Sequence, residues 1–176
     1  MDAKSLAEQG KLEYEKGKHG TAADLFSQAA QAYSDVQDEL NTAEMKNNQS
    51  VALLKAGKAE DALHATDGTE AIFQKAGDLK RQGIAVANRA AALEGLKKLS
   101  EAMDEYNRAA DIFERAGEGD MHSIVRKATA EIFLKRGYIG NTQMDVLDSL
   151  RLVEKPTVTQ RILKFMMRLG FFRPRQ

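Results

Sequence analysis

Small and apolar side chains recur along this chain with a period of forty residues. Ala22, Ala62 and Ala102 form one column, Tyr33, Phe73 and Phe113 a second, and Val36, Ala76 and Ala116 a third, while polar Lys18, Lys58 and Lys98 keep the same register. The small column Gly10, Ser50, Ala90 and Ala130 and the turn column Gly17, Gly57, Lys97 and Gly137 extend the register to a fourth unit. Self-similarity at a fixed spacing of this size denotes stacked helical units, each contacting its neighbours, rather than one globular core.

Within a unit the pattern predicts two helices and a tight turn. In the second unit the first helix runs from Asp38 to Ala56, Gly57 and Lys58 turn the chain, and the second helix runs from Ala59 to Ala76. Gly57 suits the left-handed conformation that ends many helices, as do Gly17 and Gly137. Lys97 departs from this, so that turn is either built differently or strained. Ala22, Ala62 and Ala102 fall early in the second helices, where a small side chain lets two backbones approach. Phe26 and Tyr106 follow one turn later and fill the space between pairs, with the weaker packing residue Thr66 at the matching place. The boundaries Gln37-Asp38, Gly77-Asp78 and Gly117-Glu118 each pair a stop with a carboxylate able to cap the next helix. The predicted fold is all-α: an α-α superhelix of about four helix pairs, right-handed, with units at about 2–37, 38–77, 78–117 and 118–155, followed by a capping helix and basic tail at 156–176.

Composition agrees with continuous helix. Of 176 residues only Pro156 and Pro174 are prolines, so helix is free to run to about Glu154. Cysteine is absent, which removes disulfides and thiolate metal sites. Met1 to Lys18 is charged throughout and lacks the apolar core of a signal peptide, and no run reaches the roughly 18 apolar residues of a membrane span. The expected location is the cytoplasm. Net charge is zero but unevenly placed: residues 1–150 carry 19 Lys and Arg against 25 Asp and Glu, whereas Arg151, Lys155, Arg161, Lys164, Arg168, Arg173 and Arg175 face only Glu154 in the remainder. An acidic body with a basic end speaks to partners and orientation, and the acidic body argues against a nucleic-acid protein.

Catalytic chemistry finds no constellation. His19, His64 and His122 are scattered; His19 reads as a packing residue at its turn, and Asp120 with His122 as a cap and a solvated ring. No glycine-rich phosphate loop, His-Glu-x-x-His pair or Gly-x-Ser-x-Gly elbow occurs. The chain reads as a non-enzyme without cofactor or metal.

The stretches Gly17 to Ala22, Gly57 to Ala62 and Lys97 to Ala102, with Phe26 or Tyr106 and Ala29 or Ala109 after them, resemble the turn-and-alanine signature of the tetratricopeptide repeat. The forty-residue period is longer than the usual 34 of that family and resembles the units of kinesin light chain and the LGN/Pins adaptors. Asp24 to Tyr33 and Asp111 to Gly117 are also similar to the soluble attachment proteins of membrane fusion. The resemblance covers about residues 2–140. It implies a curved stack whose first helices line a concave groove that reads a partner peptide or helix. In the resembled family an asparagine at the place of Asn48 and Asn88 hydrogen-bonds the bound backbone, work suited to a side chain that both donates and accepts. Lys11, Tyr14, Asn47, Val51, Lys55, Ala87, Ala91, Lys127 and Glu131 are expected along the same groove. A chaperone-type carboxylate clamp does not fit, because Ala7, Ile84 and Asn88 stand where flanking cations are needed.

Beyond the repeats, Pro156 interrupts the helix, and Thr157 with Gln160 opens a final helix to about Leu169. Ile162, Phe165, Met166 and Leu169 share one face, and Arg161, Lys164 and Arg168 another. Two readings stand: a closing helix that covers the last pair, or a basic amphipathic element, with Arg173 and Arg175, that touches a membrane surface or a partner. The primary expectation is a protein-binding adaptor or assembly scaffold. Its alternative is a peripheral membrane or homo-oligomerisation module using the C-terminus.

Overall fold

The computed structural model describes residues 2–135. The chain divides into two compact units, 1–129 and 130–176, and the described part of the second is the end of one helix. Eight helices are present among the described residues: α1 (Ala3–Glu15), α2 (His19–Asp35), α3 (Glu39–Lys55), α4 (Ala59–Ala65), α5 (Thr69–Lys75), α6 (Leu79–Gly95), α7 (Leu99–Ala116) and α8 (Gly119–Lys135). In the first unit α1 packs on α2, α2 on α3, α3 on α4 and α5, and α6 on α3, α4, α5 and α7. This is the all-α helix-pair stack that the forty-residue period requires. Three pairs and the first helix of a fourth are described; the second helix of that pair and the capping helix at 156–169 lie outside the described residues.

The stops and starts follow from a repeated backbone device. Gly17, Gly57 and Lys97 have φ of 76, 79 and 63°, and Gln37, Gly77 and Gly117 have 59, 70 and 72°. In each case the next residue donates its N–H back to the helix just ended: Lys18 to Glu13 O, Lys58 to Leu53 O and Lys98 to Leu93 O at 2.9, 2.9 and 3.0 Å, and Asp38 to Tyr33 O, Asp78 to Phe73 O and Glu118 to Phe113 O at 3.0, 3.0 and 2.9 Å. These are left-handed helix stops closed by a long-reaching N–H. The turn at Lys97 is therefore the same turn as at Gly57, with a side chain held where glycine is normally used. Asp2, Asp38 and Asp78 then start the first helices by accepting from the N–H groups of Ser5, Asn41 and Arg81 at 2.8, 3.1 and 2.9 Å.

Packing between helices rests on size matching. Alanines make up more than half of the buried apolar residues described, among them Ala22, Ala62 and Ala102, so backbones come close together. Two of the large rings on second helices meet a glycine on a first helix. A Cβ on Gly10 would stand 2.8 Å from Phe26 Cε1, and one on Gly83 would stand 2.6 Å from Phe113 Cε1. Where the second helix has only Thr66, the first helix has Ser50, whose hydroxyl donates to Ala62 O at 2.7 Å.

One element departs from the sequence expectation. The second helix of the second unit is not continuous from Ala59 to Ala76; it breaks between Ala65 and Thr69. Gly68 sits at φ 78°, the Thr66 hydroxyl donates to Leu63 O at 2.7 Å, and the Thr69 hydroxyl donates to Thr66 O at 2.8 Å. Both threonines are buried. The same two carbonyls also accept the backbone N–H groups of Thr66 and Thr69, at 3.1 and 3.2 Å, so each hydroxyl adds a second donor, and the Asp67-Gly68 pair makes the turn. In α8, Val125 and Ile132 are buried as the register predicts, but Ala130 is exposed, unlike Gly10, Ser50 and Ala90 of its column. No helix among the described residues is long and apolar enough to cross a membrane.

Candidate functional site

Between two of the first helices, α1 and α3, a cavity of 210 Å³ opens. Its lining is Lys11, Tyr14 and Glu15 from α1, Phe26 from α2, and Asn48 and Val51 from α3. The cavity depends on the glycine at position 10. With no side chain there, the Phe26 ring slides against the α1 backbone and closes the space from below; it is 3% exposed. Tyr14 is fixed from the other side by His19, the ring centroids lying 4.9 Å apart with planes tilted by 56°. His19 is thus a packing residue at its turn, and its Nδ1 is buried without a hydrogen-bond partner.

Four expected groove residues, Lys11, Tyr14, Asn48 and Val51, come together around this cavity. Asn88 and Ala91 stand one repeat further on, half-buried on α6, which packs against α3, and Ala87 is half-buried beside them. Lys55 is exposed at the end of α3. Lys127 and Glu131 are exposed along α8, with Glu131 in the second compact unit. Asn47 is a correction: it is 4% exposed, and its Oδ1 has no hydrogen-bond partner. At 3.6 residues per turn it lies about 100° round the helix from Asn48, on the face of Ala43 and Ser50 that is buried against the second helix. Glu15 and Phe26 were not expected in the cavity. Glu15 follows Lys11 by four residues, a spacing that puts the two on one face and marks it as a neighbour. The basic residues Arg161, Lys164, Arg168, Arg173 and Arg175 lie outside the described residues.

Charge is organised differently around the break in the second unit. There Arg108 donates to Glu70 and Glu105 at 2.7 and 2.6 Å, and Arg89 reaches Asp67 at 3.4 Å, beside a polar cavity of 280 Å³ that Thr66, Thr69 and Val86 also line. Arg81 donates to Asp78 at 2.6 Å and to Glu44 at 3.3 Å, with its guanidinium 5.1 Å from the centre of the Phe73 ring. The hydrogen bond to Asp78 raises the Arg81 pKa, and the Arg81 backbone N–H, which Asp78 caps, holds the Asp78 carboxyl below the ordinary aspartate range. These arginines are spent on partners within the fold. By contrast Lys11 has no carboxylate within ion-pair distance among the described residues. No cluster of metal-ligating side chains occurs among the described residues.

The sequence model of the family described as "Soluble NSF attachment protein, SNAP" matches residues 2–172, and the chain belongs to that family. Among solved structures the chain is similar to a tpr-like protein from Chlorobium tepidum TLS, with a TM-score of 0.61 and 21% identity over 74% of this chain and 93% of that one. That likeness shows the fold, a tetratricopeptide-like repeat. No curated protein matches the chain. The particular kinship expected with the kinesin light chain type of repeat finds no support of its own in these comparisons.

Proposed function

We propose that this member of the soluble NSF attachment protein family is a non-catalytic adaptor or assembly scaffold that binds a partner peptide or helix along the groove formed by its first helices. The observation that carries the reading is the cavity between α1 and α3, which gathers Lys11, Tyr14, Asn48 and Val51 at an accessible surface. Asn48 offers one acceptor and two donors there, and Asn88 repeats the amide on α6, so an extended or helical segment lying across α3 and α6 meets the same chemistry twice. The family takes its name from attachment to NSF, which agrees with a protein that works by holding other proteins. A stack of helix pairs serves many partners through its surface, which supports this reading.

The test is affinity capture with the full chain, followed by titration of the purified partner against wild type and the Asn48→Ala, Asn88→Ala double variant. Each lost amide should weaken binding by about 1 kcal/mol, the net worth of a neutral hydrogen bond, with the unfolding midpoint little changed. Equal affinity for the double variant and wild type would place the binding surface elsewhere.

A further inference from the structure

Resting on that reading of the groove, we infer that the cavity between α1 and α3 is an anchor pocket for one apolar side chain of the partner, and that the residue beside that side chain is acidic. Size comes first. At 210 Å³ the cavity is smaller than the roughly 300–1,000 Å³ of pockets that enclose cofactors or drug-sized ligands, so it holds a side chain and not a free small molecule. Its walls select the chemistry of that side chain. Tyr14 and Val51, both half-buried, present ring and methyl surface over the buried Phe26 ring, and a leucine or phenylalanine entering from the groove covers them from water.

Charge then sets what flanks the anchor. The body of the protein is acidic overall, yet the mouth of this cavity carries Lys11, exposed and without a carboxylate partner among the described residues. Further along, Lys16 and Lys18 are both held by Glu13, at 2.8 and 3.2 Å, whereas Lys11, like Lys4 and Lys55, is not held in this way among the described residues. An acidic residue next to the anchor therefore finds a free ammonium at Lys11, while Glu15, four residues along the same wall, repels a second acid and fixes which end of the segment lies where. Asn48 on the opposite wall is placed to meet the backbone between the two.

The experiment uses the full chain and two acetylated, amidated probe peptides, Ala-Asp-Leu-Ala-Ala and Ala-Lys-Leu-Ala-Ala, titrated while the backbone amides of Asn48 and Val51 are followed by NMR. The aspartyl peptide should shift both amides saturably, and the lysyl peptide should bind roughly two- to fivefold more weakly, the span of an exposed ion pair. Lys11→Glu, a change at an exposed position, should invert the order. Val51→Phe should block both peptides by filling the cavity, with the amide spectrum showing that the fold is kept. Equal binding of the two peptides in wild type and in Lys11→Glu, or no response at Asn48 and Val51, overturns the inference. If a captured partner depends on Asn48 and Asn88 but is indifferent to Lys11→Glu and Val51→Phe, the groove stands and the anchor pocket falls.

Discussion

Gly10 and Phe26 occupy what is elsewhere the space of a single side chain: a Cβ at position 10 would lie 2.8 Å from one ring carbon and 2.9 Å from another. In an exposed helix interior, Gly→Ala is worth about 1 kcal/mol of added stability. Here the methyl meets a buried ring that has to shift to admit it, and overpacking of this kind costs about 1–3 kcal/mol. Gly10→Ala should therefore lower stability, by about 1 kcal/mol net, when measured by urea unfolding. Phe26→Leu made in the same chain should relieve the clash, so that the effect of Gly10→Ala in that background is neutral or stabilising. If the two substitutions are additive, the rings and glycines are not coupled as described.

Among the described residues, Lys97 and Gln37 are the two non-glycine residues with positive φ, at 63 and 59°, in columns otherwise filled there by Gly17, Gly57, Gly77 and Gly117. A side chain in the left-handed region is disfavoured by about 1–2 kcal/mol, and part of that is offset by the greater freedom glycine brings to the unfolded chain. Lys97→Gly and Gln37→Gly should each raise stability by about 0.5–1 kcal/mol, whereas Gly57→Ala should lower it by about 1 kcal/mol. Thermal unfolding of the three variants checks the signs. A loss on Lys97→Gly would mean that its side chain stabilises the turn by more than its backbone strains it.

Much of the stack was legible because it is written in volumes that repeat: alanines at 22, 62 and 102, and rings at 73 and 113 where the helices interlock. The turns were legible from glycine, but Lys97 shows the limit, since the same backbone forms once its neighbours on both sides impose it. The break in the second unit was missed because the run from Ala59 to Ala76 has good helix formers throughout, and the helix expectation outweighed the Asp67-Gly68 pair that signals a turn. For the groove, the repeat spacing marked a stretch of α3 of which Asn48 and Val51 line the cavity, but it could not separate Asn47 from Asn48. That distinction depends on which face meets the second helix, and one residue of rotation decides between burial and access.

The break itself is held by buried hydroxyls, which makes it testable apart from the rest of the helix. Thr69 is 1% exposed, and its hydroxyl donates to Thr66 O at 2.8 Å. Thr69→Val keeps the shape and removes the hydroxyl donor while the Thr69 N–H still reaches the Thr66 carbonyl at 3.2 Å, so it should lower stability by about 1 kcal/mol. Gly68→Ala should add a further loss from its φ of 78°. Hydrogen exchange at the amides of residues 66–72 should speed up in both variants while α7 is unaffected. Retained protection in Thr69→Val would show that packing, and not the hydroxyl, sets the break.

The three aspartates that start the first helices make stability fall in acid. Backbone N–H groups that point at the carboxylate favour its charged form: that of Ser5 for Asp2, that of Arg81 for Asp78, and for Asp38 the side chain and then the N–H of Asn41. All three folded-state pKa values lie below the ordinary aspartate range. A carboxyl whose pKa is depressed on folding binds its proton more readily in the unfolded chain, so its contribution is complete above the unfolded pKa and disappears as pH falls through the folded one. Stability should accordingly be flat from neutral pH to about pH 5 as far as these groups are concerned, then decline below the ordinary aspartate pKa. Asp78→Asn keeps a capping oxygen but cannot titrate, and should flatten part of that decline; Asp78→Ala should lose about 1 kcal/mol at neutral pH and be less penalised in acid than wild type. Urea unfolding at a series of pH values separates the cases. An acid limb with the same slope in wild type and Asp78→Asn would remove this cap from the account, because the proton uptake that drives the decline would then belong to other carboxylates.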